Sequence, residues 1–167
     1  MIRIDIDDRD VKQALQTLQR RVGDLRPAME DIGELLLKTT EQRFQTSTAP
    51  DGSRWAPNSP ATIMQYLQAK GGAFGKRGEL TKRGARLAAS KKPLIGETRS
   101  LSTQISYRAD RASVEVGSPM EYAPIHQFGG KARIGGKRVT IPARPFLGLS
   151  DSDRRAVLEI IEEHLTG

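Results

Sequence analysis

The sequence predicts an α+β fold: a helical hairpin and a C-terminal helix packed on a small, mainly antiparallel sheet, with a long flexible basic arm. Three observations point to it. Apolar residues recur at helical spacing near both ends of the chain, two short paired segments with strand character lie in its second half, and residues 71–96 between them combine glycines and cations with few large apolar side chains. At 167 residues the chain fits one domain, 1–167, with 71–96 as an arm or insertion.

Taken in order, Ile2, Ile4 and Ile6 alternate with Arg3, Asp5 and Asp7, the period of a half-buried strand. Asp8 or Asp10 is placed to cap a first helix carrying Val11, Leu15, Leu18 and Val22, and Gly23 ends it. Pro27 suits the start of a second helix whose inner face is Met29, Ile32, Leu36 and Phe44, completing the helical hairpin. Thr46 to Pro60 is a long polar connection whose one large apolar anchor is Trp55. Ser59 followed by Pro60 opens a short helix over 61–70 that presents Ile63, Met64 and Leu67. The pattern then dissolves into the basic arm, where glycines alternate with lysines and arginines.

Gly96 to Ile105 suits a helical turn, and 106–111 with 112–117 reads as a hairpin turning at Asp110-Arg111. Met120 to Gly130 suits a short helix ending at Gly129-Gly130. Residues 131–141 form a second hairpin about Gly135-Gly136. Ser150 and Asp153 make a capping-box pattern before a last helix with Val157, Ile160, Ile161 and Leu165.

An apolar fraction of 37% implies a thin core or one completed by a partner, which favours an oligomer. Residues 70–144 hold 16 Lys/Arg and 5 Asp/Glu, a net of +11, so the remainder carries −4 of the chain's +7. Such polarity suits nucleic-acid contact or head-to-tail packing of complementary surfaces, and charge alone does not choose. No apolar run approaches the ~18 residues of a membrane span and the N-terminus has no apolar signal segment, so the expectation is a soluble protein made in the cytoplasm. The absence of cysteine excludes disulfides, thiol nucleophiles and Cys-based zinc sites.

His126, beside Glu121 and Tyr122, is the residue most like a catalyst, but no nucleophile signature accompanies it. The expected role is structural: His126 and Gln127 tie down backbone while Tyr122, Ile125 and Phe128 pack in the core. His126 and His164 lie in separate elements, too few for a zinc site. The aspartates at 5, 7, 8 and 10 lack the glycine and terminal glutamate of a calcium loop and read as caps. Asp51-Gly52 belongs to a connection pinned by a buried Trp55 rather than to a ligand loop. No cofactor and no enzymatic activity is expected.

The run Glu121-Tyr122-Ala123-Pro124-Ile125-His126-Gln127-Phe128-Gly129-Gly130, with Ile141-Pro142-Ala143-Arg144-Pro145-Phe146-Leu147-Gly148-Leu149-Ser150 downstream, resembles the phage virion morphogenesis family of Mu-like and P2-like phages. The earlier block from Arg43-Phe44 through Ala49-Pro50-Asp51-Gly52-Ser53-Arg54-Trp55-Ala56-Pro57 is similar too, and the likeness spans roughly residues 28 to 165. Members often carry Thr-Gly-x-Leu where this chain has Thr98-Arg99-Ser100-Leu101, which puts the local turn geometry in question. The resemblance implies a structural protein of the neck or tail-completion region, working in the virion and made in the host cytoplasm. It also implies a homo-oligomeric ring, a hexamer by family pattern, that contacts neighbouring neck and tail proteins, with possible non-specific contact to genomic DNA and none to membrane.

On that reading Lys76, Arg77, Lys82, Arg83, Arg86, Lys91, Lys92, Lys131, Arg133 and Arg144 are candidates for a subunit interface or a DNA-lining lumen, and the two roles stay open. Trp55, Tyr122, His126, Phe128 and Phe146 are candidate structural anchors. The alternative is a sequence-independent nucleic-acid-binding module acting through the basic arm. Phe74 is the arm's one aromatic, so base stacking has little to work with.

Overall fold

The computed structural model describes residues 8–166, so the strand expected at 1–7 lies outside the described residues. Among them are seven helices and four strands: α1 (Arg9–Val22), α2 (Arg26–Thr46), α3 (Pro60–Gln68), α4 (Lys82–Ser90), α5 (Ser100–Thr103), β1 (Ser106–Ala109), β2 (Val114–Gly117), α6 (Ala123–Phe128), β3 (Gly130–Ile134), β4 (Lys137–Ile141) and α7 (Asp151–Thr166). The α+β class is as the sequence predicts.

Local chemistry sets the helix starts. The Asp8 carboxylate accepts from the backbone N–H of Asp10 and Val11, Pro27 occupies the first turn of α2, and Ser59 and Thr81 cap α3 and α4 through their hydroxyls. The Ser150 hydroxyl accepts from Asp153 N at 3.0 Å while the Asp153 carboxylate accepts from Ser150 N at 2.9 Å, a reciprocal capping box opening α7.

The helical hairpin is open, because α7 lies against both α1 and α2. It runs parallel to α1: Arg154 bonds Asp8 (2.6 Å) and Asp10 at one end, and Arg21 donates to the Leu165 carbonyl (3.2 Å) at the other. It runs antiparallel to α2, with Arg43 on Asp153 and His164 within 2.7 Å of Asp31. Leu18, Leu25, Met29, Ile32, Val157 and Ile161 fill the space between the three helices.

A second core lies at the other end of α2, where Phe44 meets Trp55, Leu101, Ile105, Ala123, Phe146 and Leu147. The long α2 therefore serves as a spine joining two small cores, the physical form of the low apolar content.

The strands make two separate antiparallel ribbons rather than one sheet. Ribbon β1–β2 lies on α2, and Gly33 is the reason it fits: a Cβ there would run into the Tyr107 ring. The turn is wider than Asp110-Arg111, since the Asp110 carboxylate gathers the N–H groups of Ala112 and Ser113. Ribbon β3–β4 turns on Gly135 and Gly136, both at positive φ (56° and 80°), the conformation of a two-residue hairpin turn.

The segment 71–96, expected to lack regular structure, contains a turn closed by a Phe74–Leu80 bridge and then α4, which packs on α3. The Thr81 cap and the helix-forming alanines 85, 88 and 89 account for the helix, which the density of glycine and charge conceals.

Candidate functional site

The best-organised polar constellation is a clamp on the extended segment 142–150, and three separated parts of the chain build it. Trp55 Nε1 donates to the Pro145 carbonyl at 2.7 Å, and Phe44 lies edge-to-face on Trp55 (5.4 Å) and against Phe146 (5.2 Å), so the aromatic trio anchors the segment on α2. From α6, Gln127 Oε1 accepts from Phe146 N and Leu147 N, both at 3.0 Å, and its Nε2 donates to the Leu147 carbonyl at 2.9 Å. From α2, Arg43 Nη1 donates to the carbonyls of Phe146 and Gly148, both at 3.0 Å, while Nη2 pairs with the buried Asp153 carboxylate.

Arg144 closes the clamp from within. Its backbone N–H donates to the His126 carbonyl, and its guanidinium donates to the carbonyls of Ala56 and Pro57, each at 2.7 Å. Arg144 is 7% exposed, and burial lowers the pKa of its guanidinium. This corrects its assignment as an interface or DNA-lining cation: the side chain is spent inside the protomer, stitching 142–150 to the Trp55 connection.

The expected anchors divide. Trp55 and Phe146 are buried, whereas Tyr122 and Phe128 are 46% and 61% exposed, so the core packing expected of these two is overturned. The six-residue helix α6 has room to bury only Ala123 and Gln127, which turns their neighbours outward. Gln127 ties down backbone, but His126 does not do so through its ring: Nδ1 is buried without a hydrogen-bond partner. Desolvation, with the nearby Arg144 charge second, holds its pKa below the ordinary imidazole value.

The cations also divide. Lys76 and Arg77 are exposed on the turn before α4, and Lys82, Arg83 and Arg86 are exposed on α4 itself. Lys91 instead reaches the Ile95 carbonyl and lies over the Tyr66 ring (4.9 Å), with burial lowering its pKa; Lys92 donates to the Gln45 carbonyl at 2.6 Å. Both border an open cleft of about 770 Å³ between α2, α3 and the 90–103 connection, where Lys70 and Glu97 pair at 3.0 Å. Lys131 and Arg133 stand exposed on β3, on a ribbon that makes no extensive contact with any other described element.

Arg43 and Asp153 were not legible as a pair, yet a signal existed for one of them. Met29, Ile32, Leu36, Thr40 and Arg43 advance by three and four, so Arg43 falls on the buried face of α2. Among the described residues no cluster of three or more His, Asp or Glu has metal-site geometry, and no helix is long and apolar enough to cross a membrane.

The sequence pattern of the phage virion morphogenesis family matches residues 6–166. The chain is 28% identical over 165 residues to the Mu-like prophage FluMu G protein 2 of Haemophilus influenzae, covering 98% of this chain and 96% of that protein. It is 28% identical over 140 residues to tail completion protein S of Escherichia phage P2, covering 81% and 80%. No solved structure matches it.

Proposed function

This chain belongs to the phage virion morphogenesis family, and from that premise we propose that it is a structural protein of the head–tail neck or tail end, assembling as a closed ring that joins or terminates the tail. The observation that carries the reading is the contrast between what is held and what is left free. Segment 142–150, the core of the motif, is bound from α2, α6 and the Trp55 connection, while the ribbon that leads into it and the side chains of Tyr122 and Phe128 stay uncovered. A rigid mount presenting apolar side chains and strand edges is what a subunit of an assembly requires.

Electron microscopy of the purified protein should show closed rings of uniform diameter, and particles made without this chain should carry heads and tails that fail to join or to finish. A strict monomer at every concentration, with normal particles in its absence, overturns the proposal.

The second reading, nucleic-acid binding, is favoured by the exposed Lys82, Arg83 and Arg86 on α4 beside Lys76 and Arg77. It predicts duplex binding that weakens steeply with salt and is lost when Lys76, Arg77, Lys82 and Arg83 are neutralised.

A further inference from the structure

The β3–β4 ribbon is amphipathic, and nothing in its own protomer explains that. Strand register pairs Lys131 with Thr140 and Arg133 with Arg138, so one face carries three cations and a hydroxyl. The opposite face carries Ala132 against Val139 and Gly130 against Ile141, with Ile134 and Lys137 at the tip. Ile134 is 61% and Val139 37% exposed.

Two features make the free ribbon unfavourable. A lone two-stranded hairpin is marginal in water, and like charges directly opposite, here Arg133 and Arg138, weaken it further. Residues 122–150 contain no Asp or Glu to relieve that repulsion. A partner that stabilises the ribbon must therefore bring carboxylates or phosphates to its cationic face.

This chain carries a complementary surface. Glu30, Asp31 and Glu34 are exposed on α2 around Tyr107, whose hydroxyl lies 3.5 Å from Glu34 Oε1, and the exposed Glu162 and Glu163 lie on α7 beside His164, the partner of Asp31; Arg26 pairs with Glu30 at 3.1 Å but both side chains stay exposed, and the carboxylates outnumber it. The ribbon has no extensive contact with α2 or α7 of its own protomer.

We infer that the β3–β4 ribbon of one copy docks on the acidic α2–α7 shoulder of the next, a heterologous head-to-tail contact in which Arg133 and Arg138 face Glu30 and Glu34. Repetition of such a contact closes a ring. The inference rests on the ring proposal and adds its interface, so the test separates the two.

Light scattering across a concentration series would compare the intact protein, the ribbon reversal Arg133→Glu/Arg138→Glu, the shoulder reversal Glu30→Lys/Glu34→Lys, a 1:1 mixture of the two, and all four changes in one chain. Thermal melts would check that each variant is folded. Each reversal alone should raise the concentration of half-assembly roughly 100-fold or more, because like charges then face each other. The mixture should recover assembly by alternating the two copies, and the fourfold variant should recover it whatever the copy number. Assembly of the intact protein that is indifferent to the ribbon reversal, or failure of both the mixture and the fourfold variant to recover, overturns the docking and leaves the ring standing. An intact protein that never assembles overturns both. If its ribbon reversal then abolishes capture of a duplex DNA probe, the cationic face serves phosphate instead.

Discussion

Gln127 gives the sharpest test of the clamp. It is 5% exposed and makes three hydrogen bonds to the main chain of Phe146 and Leu147, none longer than 3.0 Å. Gln127→Leu keeps the volume and removes all three, leaving two buried N–H groups and one carbonyl without their partner. At about 1 kcal/mol net per bond, and up to about 2 where the orphaned group stays dry, the loss should be about 3–5 kcal/mol. For a domain of this size that lowers Tm by roughly 10 °C or more.

Gln127→Glu makes the test more specific. It keeps both acceptor bonds, which favour the carboxylate, but turns its other oxygen toward the Leu147 carbonyl at a 5% exposed site; burial and that repulsion together outweigh the bonds and raise the folded pKa of the new carboxyl. By linkage its stability is greatest below the unfolded value of about 4.3 and is lost as pH rises through the raised folded value. Urea melts from pH 4 to pH 8 should show the Glu variant approaching the parent in acid and the Leu variant parallel to it throughout. A Leu variant within about 0.5 kcal/mol of the parent, or a Glu deficit that ignores pH, would refute the argument.

Three further outcomes rest on single positions. Arg99 sits at φ 53°, in the left-handed region; Arg99→Gly should raise stability by about 0.5–1 kcal/mol in urea, the strain of a left-handed residue less the entropy glycine adds to the unfolded chain. Asp153→Asn leaves Arg43 buried without its carboxylate and should cost about 3–5 kcal/mol, whereas Asp151→Asn, on the exposed side of the same turn, should change the urea midpoint little. His126 has a folded pKa below its unfolded value, so its contribution is present above about pH 6.5 and lost as pH falls; His126→Gln should flatten the stability profile between pH 7 and pH 5, measured by thermal melts.

Apart from α4, the helices and both hairpins were legible because each is signalled by neighbours in sequence: Asp8, Ser59 and Ser150 cap the helices that begin just after them, and Gly135-Gly136 fixes its own turn. The clamp was not, because its bonds join residues 18 to 110 positions apart, and no local pattern announces that Arg43 will meet Asp153 or that Arg144 will face Ala56 and Pro57. Charge misled in the same way. Arg144 and Arg133 look alike in the sequence, yet one is enclosed by carbonyls and the other stands on an open ribbon.

That difference organises the molecule. Four carbonyls and a carboxylate take up the guanidiniums of Arg43 and Arg144, so the chain invests two of its arginines in making 142–150 rigid. The ribbon leaves a glycine pair at one end and enters that rigid segment at the other, with Gly129 so close to Ala143 that a Cβ there would lie 2.8 Å from its amide nitrogen. A hairpin of marginal intrinsic stability is thus held at its base in one direction. Docking it then costs less entropy than docking a free loop, because the orientation is already fixed. On the docking proposed above, the clamp and the ribbon are two halves of one device: the clamp stiffens the mount so that a weak, charged hairpin can serve as the connecting piece.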